Sequence, residues 1–184
     1  MGHYADHLKT VDETFSSPDG RIKARLRKNT NLTLAFLPGT YRKYDDRSLE
    51  RQLTALVTKL YEVRRRIHID AMSAGLLVTA GRRAEVGRNR PTDAKARRFE
   101  ELHAQLDSHG VSPNRSVRIF NTGMRGWQVR IVDGTVDRTG EDVLAREFVA
   151  AVSTLVVDYR TKLAGLKHKV FGEPGSQQTK RVTT

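Results

Sequence analysis

Residues 17–65 of this 184-residue chain align without a gap on residues 112–160, an offset of 95 positions. Ser17 and Pro18 correspond to Ser112 and Pro113, and Gly39 and Thr40 to Gly134 and Thr135. Leu49, Arg51, Ala55, Val57, Leu60 and Arg65 correspond to Leu144, Arg146, Ala150, Val152, Leu155 and Arg160. Ten identities over 49 positions are few, but apolar positions match between them: Ile22 with Val117, Leu32 with Trp127, Leu34 with Val129, Phe36 with Ile131, Leu53 with Phe148. The unbroken offset and the shared apolar pattern point to an internal duplication. This constrains the fold most, because both copies must then form the same supersecondary unit, and a unit this small is marginal alone.

Each copy reads as a hairpin followed by a long helix. From Arg21 to Lys28 the chain alternates: Ile22, Ala24 and Leu26 on one side, Arg21, Lys23, Arg25 and Arg27 on the other. That period marks a half-buried strand. Residues 28–31 form a turn, residues 32–37 a second strand, and Pro38-Gly39 ends it. A helix is expected from about Arg47 to about Met72, with Leu49, Leu53, Leu56, Val57, Leu60 and Val63 on one face. Asp45 or Asp46 stands where a cap belongs. In the second copy, 117–120 and 127–132 are the strands and 141–166 the helix. Residues 16–20 offer a short additional strand ahead of the first hairpin, and 93–108 a helix ahead of the second, with Phe99, Leu102 and Leu106 as its stripe. The expected division is a first repeat over 1–80, a basic linker over 81–91, a second repeat over 92–172 and a disordered tail over 173–184. The linker is expected to be exposed and mobile.

Composition narrows the function. There is no cysteine, which excludes disulfides and thiolate sites. No apolar run reaches the length of a membrane span, and residues 1–14 carry no secretory signal pattern, so a cytoplasmic protein is expected. Lysine and arginine number 33 against 21 acids, a net charge of +12. Residues 15–80 hold 13 bases and six acids, more than half of that excess. A polyanionic partner fits first, nucleic acid ahead of an anionic surface.

Nothing in the sequence assembles into a catalytic centre, so no enzyme, cofactor or metal is expected. The six histidines show no ligand spacing, and His68 beside Arg64, Arg65 and Arg66 reads as a solvated helix face. Asp45-Asp46 reads as a cap rather than an acid–base pair. The glycines at 81 and 87 lack the Lys-Ser/Thr ending of a phosphate loop. Trp127 heads an alternating strand and reads as core.

Ser17-Pro18-Asp19-Gly20, the alternating strand, a second strand ending at Gly39, and a charged loop into an amphipathic helix resemble the YbaB/EbfC family of nucleoid-associated proteins. Residues 112–160 carry a weaker version. The resemblance implies an α+β fold of two YbaB-like repeats, each an antiparallel hairpin followed by a long helix, arranged as an internal pseudo-dimer. It implies sequence-tolerant DNA binding at the bacterial nucleoid. Relatives of this fold also occur among proteins associated with type VII secretion loci in actinobacteria. The family subunit begins with a long helix, whereas residues 1–14 here offer at best a short one.

Two functions follow. In the first, Arg21, Lys23, Arg25, Arg27 and Lys28, with linker residues Arg82, Arg83, Arg88 and Arg90, contact DNA. Alternate side chains on a strand stand about 6.6 Å apart, close to the spacing of phosphates along a nucleic-acid strand. The facing strand positions Thr33, Ala35 and Leu37 supply no acid, so this face is either solvated or occupied in function. In the second, the chain is a protein-interaction scaffold, accessory to secretion. Arg118, Phe120, Gln128 and Arg130 form a less basic, more apolar face in the second copy. The helix faces Leu56–Leu60–Val63–Ile67 and Val152–Leu155–Val156–Tyr159 are free to pack between copies or between chains.

Overall fold

A computed structural model describes residues 11–28, 31–80 and 93–172, with side chains described outside 67–80 and Asp93. The linker from Gly81 and the tail from residue 173 lie outside the described residues, as do Arg82, Arg83, Arg88 and Arg90. The chain runs β1 (Asp12–Ser16), β2 (Ile22–Arg27), β3 (Asn31–Phe36), a 3-10 turn (Tyr41–Lys43), and helix α1 (Asp46–Ala80). It continues through α2 (Asp93–Ala104), β4 (Asp107–Val111), β5 (Val117–Thr122), β6 (Gly126–Ile131), the single turn α3 (Thr135–Arg138) and α4 (Glu141–Phe171). The strands make two antiparallel three-stranded sheets, β1-β2-β3 and β4-β5-β6.

Two-stranded hairpins were expected, and each half forms a three-stranded meander instead. The extra strand of the first half is Asp12–Ser16, not 16–20, which is the β1–β2 turn. In the second half α2 stops at Ala104, and Asp107–Val111 turns into β4 rather than continuing the helix. Three strands suit the physics better, because a two-stranded hairpin holds little buried face. The short apolar-polar alternations of β1 and β4 include polar inward positions such as Ser108, and these hide the period. Both helices run longer than expected, to Ala80 and Phe171.

The β1–β2 and β4–β5 turns are built alike. Ser17 donates its N–H to Ile22 O and accepts the Ile22 N–H on Oγ, and Ser112 does the same with Val117. Asp19 Oδ1 accepts from Ser17 Oγ and the Arg21 N–H, as Asn114 Oδ1 does from Ser112 Oγ and the Ser116 N–H. Both serines are buried, so these bonds satisfy groups that water cannot reach. Each pair of equivalent bonds is 95 positions apart.

The sheets do not pair with one another. The helices join them: α1 packs chiefly on β6, and α4 packs on β3 as well as along β4. One continuous core results, in which Ile22, Leu26, Leu49, Leu53 and Leu56 of the first half meet Val117, Ile119, Leu144, Phe148 and Leu155 of the second. The helix face Leu56, Leu60 and the face Val152, Leu155 are buried here, so they pack between the halves. Trp127 packs against this core with its ring 5.6 Å from that of Tyr61.

Candidate functional site

Along β2 the core side chains Ile22, Ala24 and Leu26 turn inward, and period two therefore sends Lys23, Arg25 and Arg27 to the opposite, exposed face. Arg21 continues this row just before the strand and is exposed too. β2 is the central strand, so the row runs down the middle of the sheet. The outward positions beside it are Thr14 and Ser16 on β1 and Asn31, Thr33 and Ala35 on β3, all small or short. The cations thus rise above their neighbours. Lys28 ends the row in the left-handed conformation (φ 51°), its backbone N–H donating to Val11 O.

An acid does lie against this row. Asp12, on β1 opposite Arg27, accepts two 2.6 Å bonds from Arg25 Nε and Nη2 and a longer one, 3.5 Å, from Arg27 Nε. The hydrogen bonds from Arg25 hold the Asp12 carboxyl below its ordinary value. Thr33, Ala35 and Leu37 supply no acid, as expected, and the acid comes instead from β1, whose alternation Asp12, Thr14, Ser16 is the sequence signal that places Asp12 outward. At the other end, Asp19 lies in the field of Arg21. Burial opposes its ionisation, yet bonds from Ser17, Tyr44 and the Arg21 N–H leave its carboxyl below the usual range. Among the described residues Lys23, between these ends, has no ion-pair partner. The face therefore retains net positive charge, four cations against Asp12 alone among the described residues on its surface.

The corresponding face of the second sheet differs. Its outward residues include Asp107, His109, Arg118, Phe120, Gln128 and Arg130. Arg130 pairs with Glu50, and Phe120 is 40% exposed. Among the described residues, no group of three or more histidine or acidic side chains is placed to hold a metal ion. No described helix is long and apolar enough to cross a membrane. Asp45 acts as a cap: its Oδ1 accepts the Ser48 N–H while its own N–H donates to Ser48 Oγ. Asp46 instead reaches the other half, accepting the N–H groups of Gly134 and Val136.

No protein-family model, no curated protein and no solved structure matches this chain.

Proposed function

We propose that this chain is a non-catalytic, sequence-tolerant DNA-binding protein of the nucleoid-associated type, its two halves forming a YbaB-like internal pseudo-dimer. The observation that carries the reading is the exposed cationic row on the central strand, Arg21, Lys23, Arg25 and Arg27, only partly offset by Asp12. Such a row meets a phosphate backbone without reading bases, because phosphate contacts confer affinity and not sequence information. The equal turns and the reciprocal docking of helices on the opposite sheets support the pseudo-dimer. A salt-titrated gel shift with arbitrary duplex tests the function. Each phosphate neutralised adds about 0.9 to the logarithmic salt slope. Changing Lys23 and Arg27 to alanine is expected to weaken binding alike for all sequences and lower that slope by about two. Folding is expected to survive, since both side chains are exposed. An unchanged slope would remove this strand from the contact.

A second reading, a protein-interaction scaffold of the kind found near type VII secretion loci, is favoured by Phe120, exposed on the outer face of the second sheet. A parent chain that binds no duplex even at low salt selects this reading.

A further inference from the structure

At the β4–β5 corner of the second half lies a pocket of about 360 Å³. Arg115, Arg118 and Arg138 line it with Asn114, Ser116 and Thr135, and its wall contains no acidic residue. Among the described residues none of the three arginines makes an ion pair, so all three keep their charge for a ligand. Arg138 is steered by a backbone contact, its Nη2 donating to Asp133 O at 2.8 Å. Arg115 stands in the left-handed conformation, φ 62°, where an ordinary side chain is uncommon. The Ser116 hydroxyl at the pocket wall is buried without a hydrogen-bond partner. A buried polar group left unpaired is costly and invites a partner. Glu147 accepts the Asn114 backbone N–H.

The first half supplies the comparison. Position 114 corresponds to Asp19, 118 to Lys23, 138 to Lys43 and 139 to Tyr44. There the carboxylate of Asp19 brings the negative charge, accepting from Ser17, from the Arg21 N–H and from the Tyr44 hydroxyl at 2.5 Å. In the second half the same turn is held by the neutral amide of Asn114, and threonine replaces the tyrosine. Two of the three cations have basic counterparts, the third, Arg115, stands where the first half has Gly20, and the internal anion has gone.

From this we infer that the Arg115–Arg118–Arg138 pocket binds a phosphate group, which takes the electrostatic place held by Asp19 in the other half. Three arginines lining one pocket supply the charge and the forked donors that phosphate oxygens accept. The inference stands apart from the DNA-binding row on β2. The source of the phosphate is either a free phosphate compound or the backbone of a nucleic acid.

An NMR titration of the full, isotopically labelled chain with inorganic phosphate tests it. Saturable shifts are expected at the amides of Ser116, Arg118, Arg138 and Thr139, with a dissociation constant of about 1 mM or tighter. The double variant Arg118→Gln with Arg138→Gln is expected to lose the saturation, its own spectrum reporting that it is folded. Shifts that fail to saturate, that fall instead on Lys23 and Arg27, or that persist in the double variant overturn the inference. Localisation in the parent chain alone decides the matter if that variant does not fold. A salt titration with duplex assigns the source: a slope lowered by about two in the double variant indicates backbone phosphates, and an unchanged slope a free phosphate compound.

Discussion

In the second half of the molecule both outer strands of the sheet give their free backbone groups to a helix. The β6 edge meets α1, where Asp46, Glu50 and Thr54 stand four residues apart on one face. They accept the N–H groups of Gly134 and Val136, of Ile131, and of Val129 in turn. The β4 edge meets α4: Thr154 Oγ1 accepts the Val111 N–H, Asp158 that of His109, and Lys162 donates to Asp107 O. The first half is less closed. The equivalents of Asp46, Glu50 and Thr54 are Glu141, Ala145 and Val149, and among the described residues no α4 side chain hydrogen-bonds the β3 backbone. Beside β1, Lys59 donates to Ser16 O, and little else reaches the edge. An open edge is a liability that proteins cover in various ways, and here one sheet is covered by polar side chains while the other rests on apolar ones.

Gly110 and Phe15, which are equivalent positions, explain much of this difference. A Cβ built on Gly110 would run into the Ala151 carbonyl oxygen and sit 2.7 Å from the Leu155 Cβ, so only glycine lets α4 lie along β4. Phe15 occupies that place in the first half, and α1 contacts β1 only lightly. One side chain thus sets how closely a helix approaches, and the approach decides whether its polar groups can reach the strand.

The largest expected effect breaks this asymmetry. Gly110→Ala must push α4 from β4, at a cost of about 3 kcal/mol, whereas Phe15→Gly relieves no clash, leaves α1 where β6 holds it, and loses only the packing of a half-buried ring, about 2 kcal/mol. Urea unfolding of both variants measures the difference; a Gly110→Ala chain as stable as the parent removes the close-approach explanation.

Next comes the cross-half acceptor. Asp46→Ala leaves the Gly134 and Val136 N–H groups unpaired and is expected to cost about 2–3 kcal/mol. Glu141→Ala at the equivalent position makes no such bond and is expected to cost no more than about 1 kcal/mol through the helix terminus. Thermal unfolding compares the two, and equal losses would mean that the β6 edge gains nothing from α1.

Acid sharpens the comparison further. Burial raises the Asp158 carboxyl, but bonds from Lys162 and the His109 N–H outweigh it and the net shift is downward. A carboxyl whose folded value is depressed contributes stability above its unfolded value, about 3.9, and that stability is lost as pH falls through the folded value. Stability is therefore expected to fall with acidification below about pH 4, and Asp158→Asn to flatten the fall. Unfolding midpoints collected across that range check the sign. A variant with the parent's slope would exclude Asp158 as a contributor.

The smallest effect concerns the charged face. Asp12→Asn frees Arg25 and Arg27, and the salt slope for duplex is expected to rise by about one. Asp107, the corresponding residue on β4, accepts from Thr122 rather than from an arginine, so Asp107→Asn is expected to leave the slope unchanged. A falling slope in Asp12→Asn would argue that the aspartate orders the arginines instead of masking them.

The sequence alone determined the strands and helices whose apolar period is unbroken. Ile22-Ala24-Leu26 and Leu49-Leu53-Leu56 can be buried in only one way, because a shift of one residue would expose the whole set. It also placed Lys23, Arg25 and Arg27 outward, as the other side of the same alternation. Only the tertiary structure decided what those cations meet. Asp12 reaches Arg25 through strand pairing 13 residues away in sequence, which depends on a short outer strand with no strong period of its own. The arginine pocket was likewise illegible, since Arg115, Arg118 and Arg138 belong to a turn, a strand and a helical turn whose meeting is fixed by the packing of the core. Which helix covers which sheet was also decided there. Asp46 and Val136 are 90 residues apart, and periodicity within either segment carries no information about a partner at that distance.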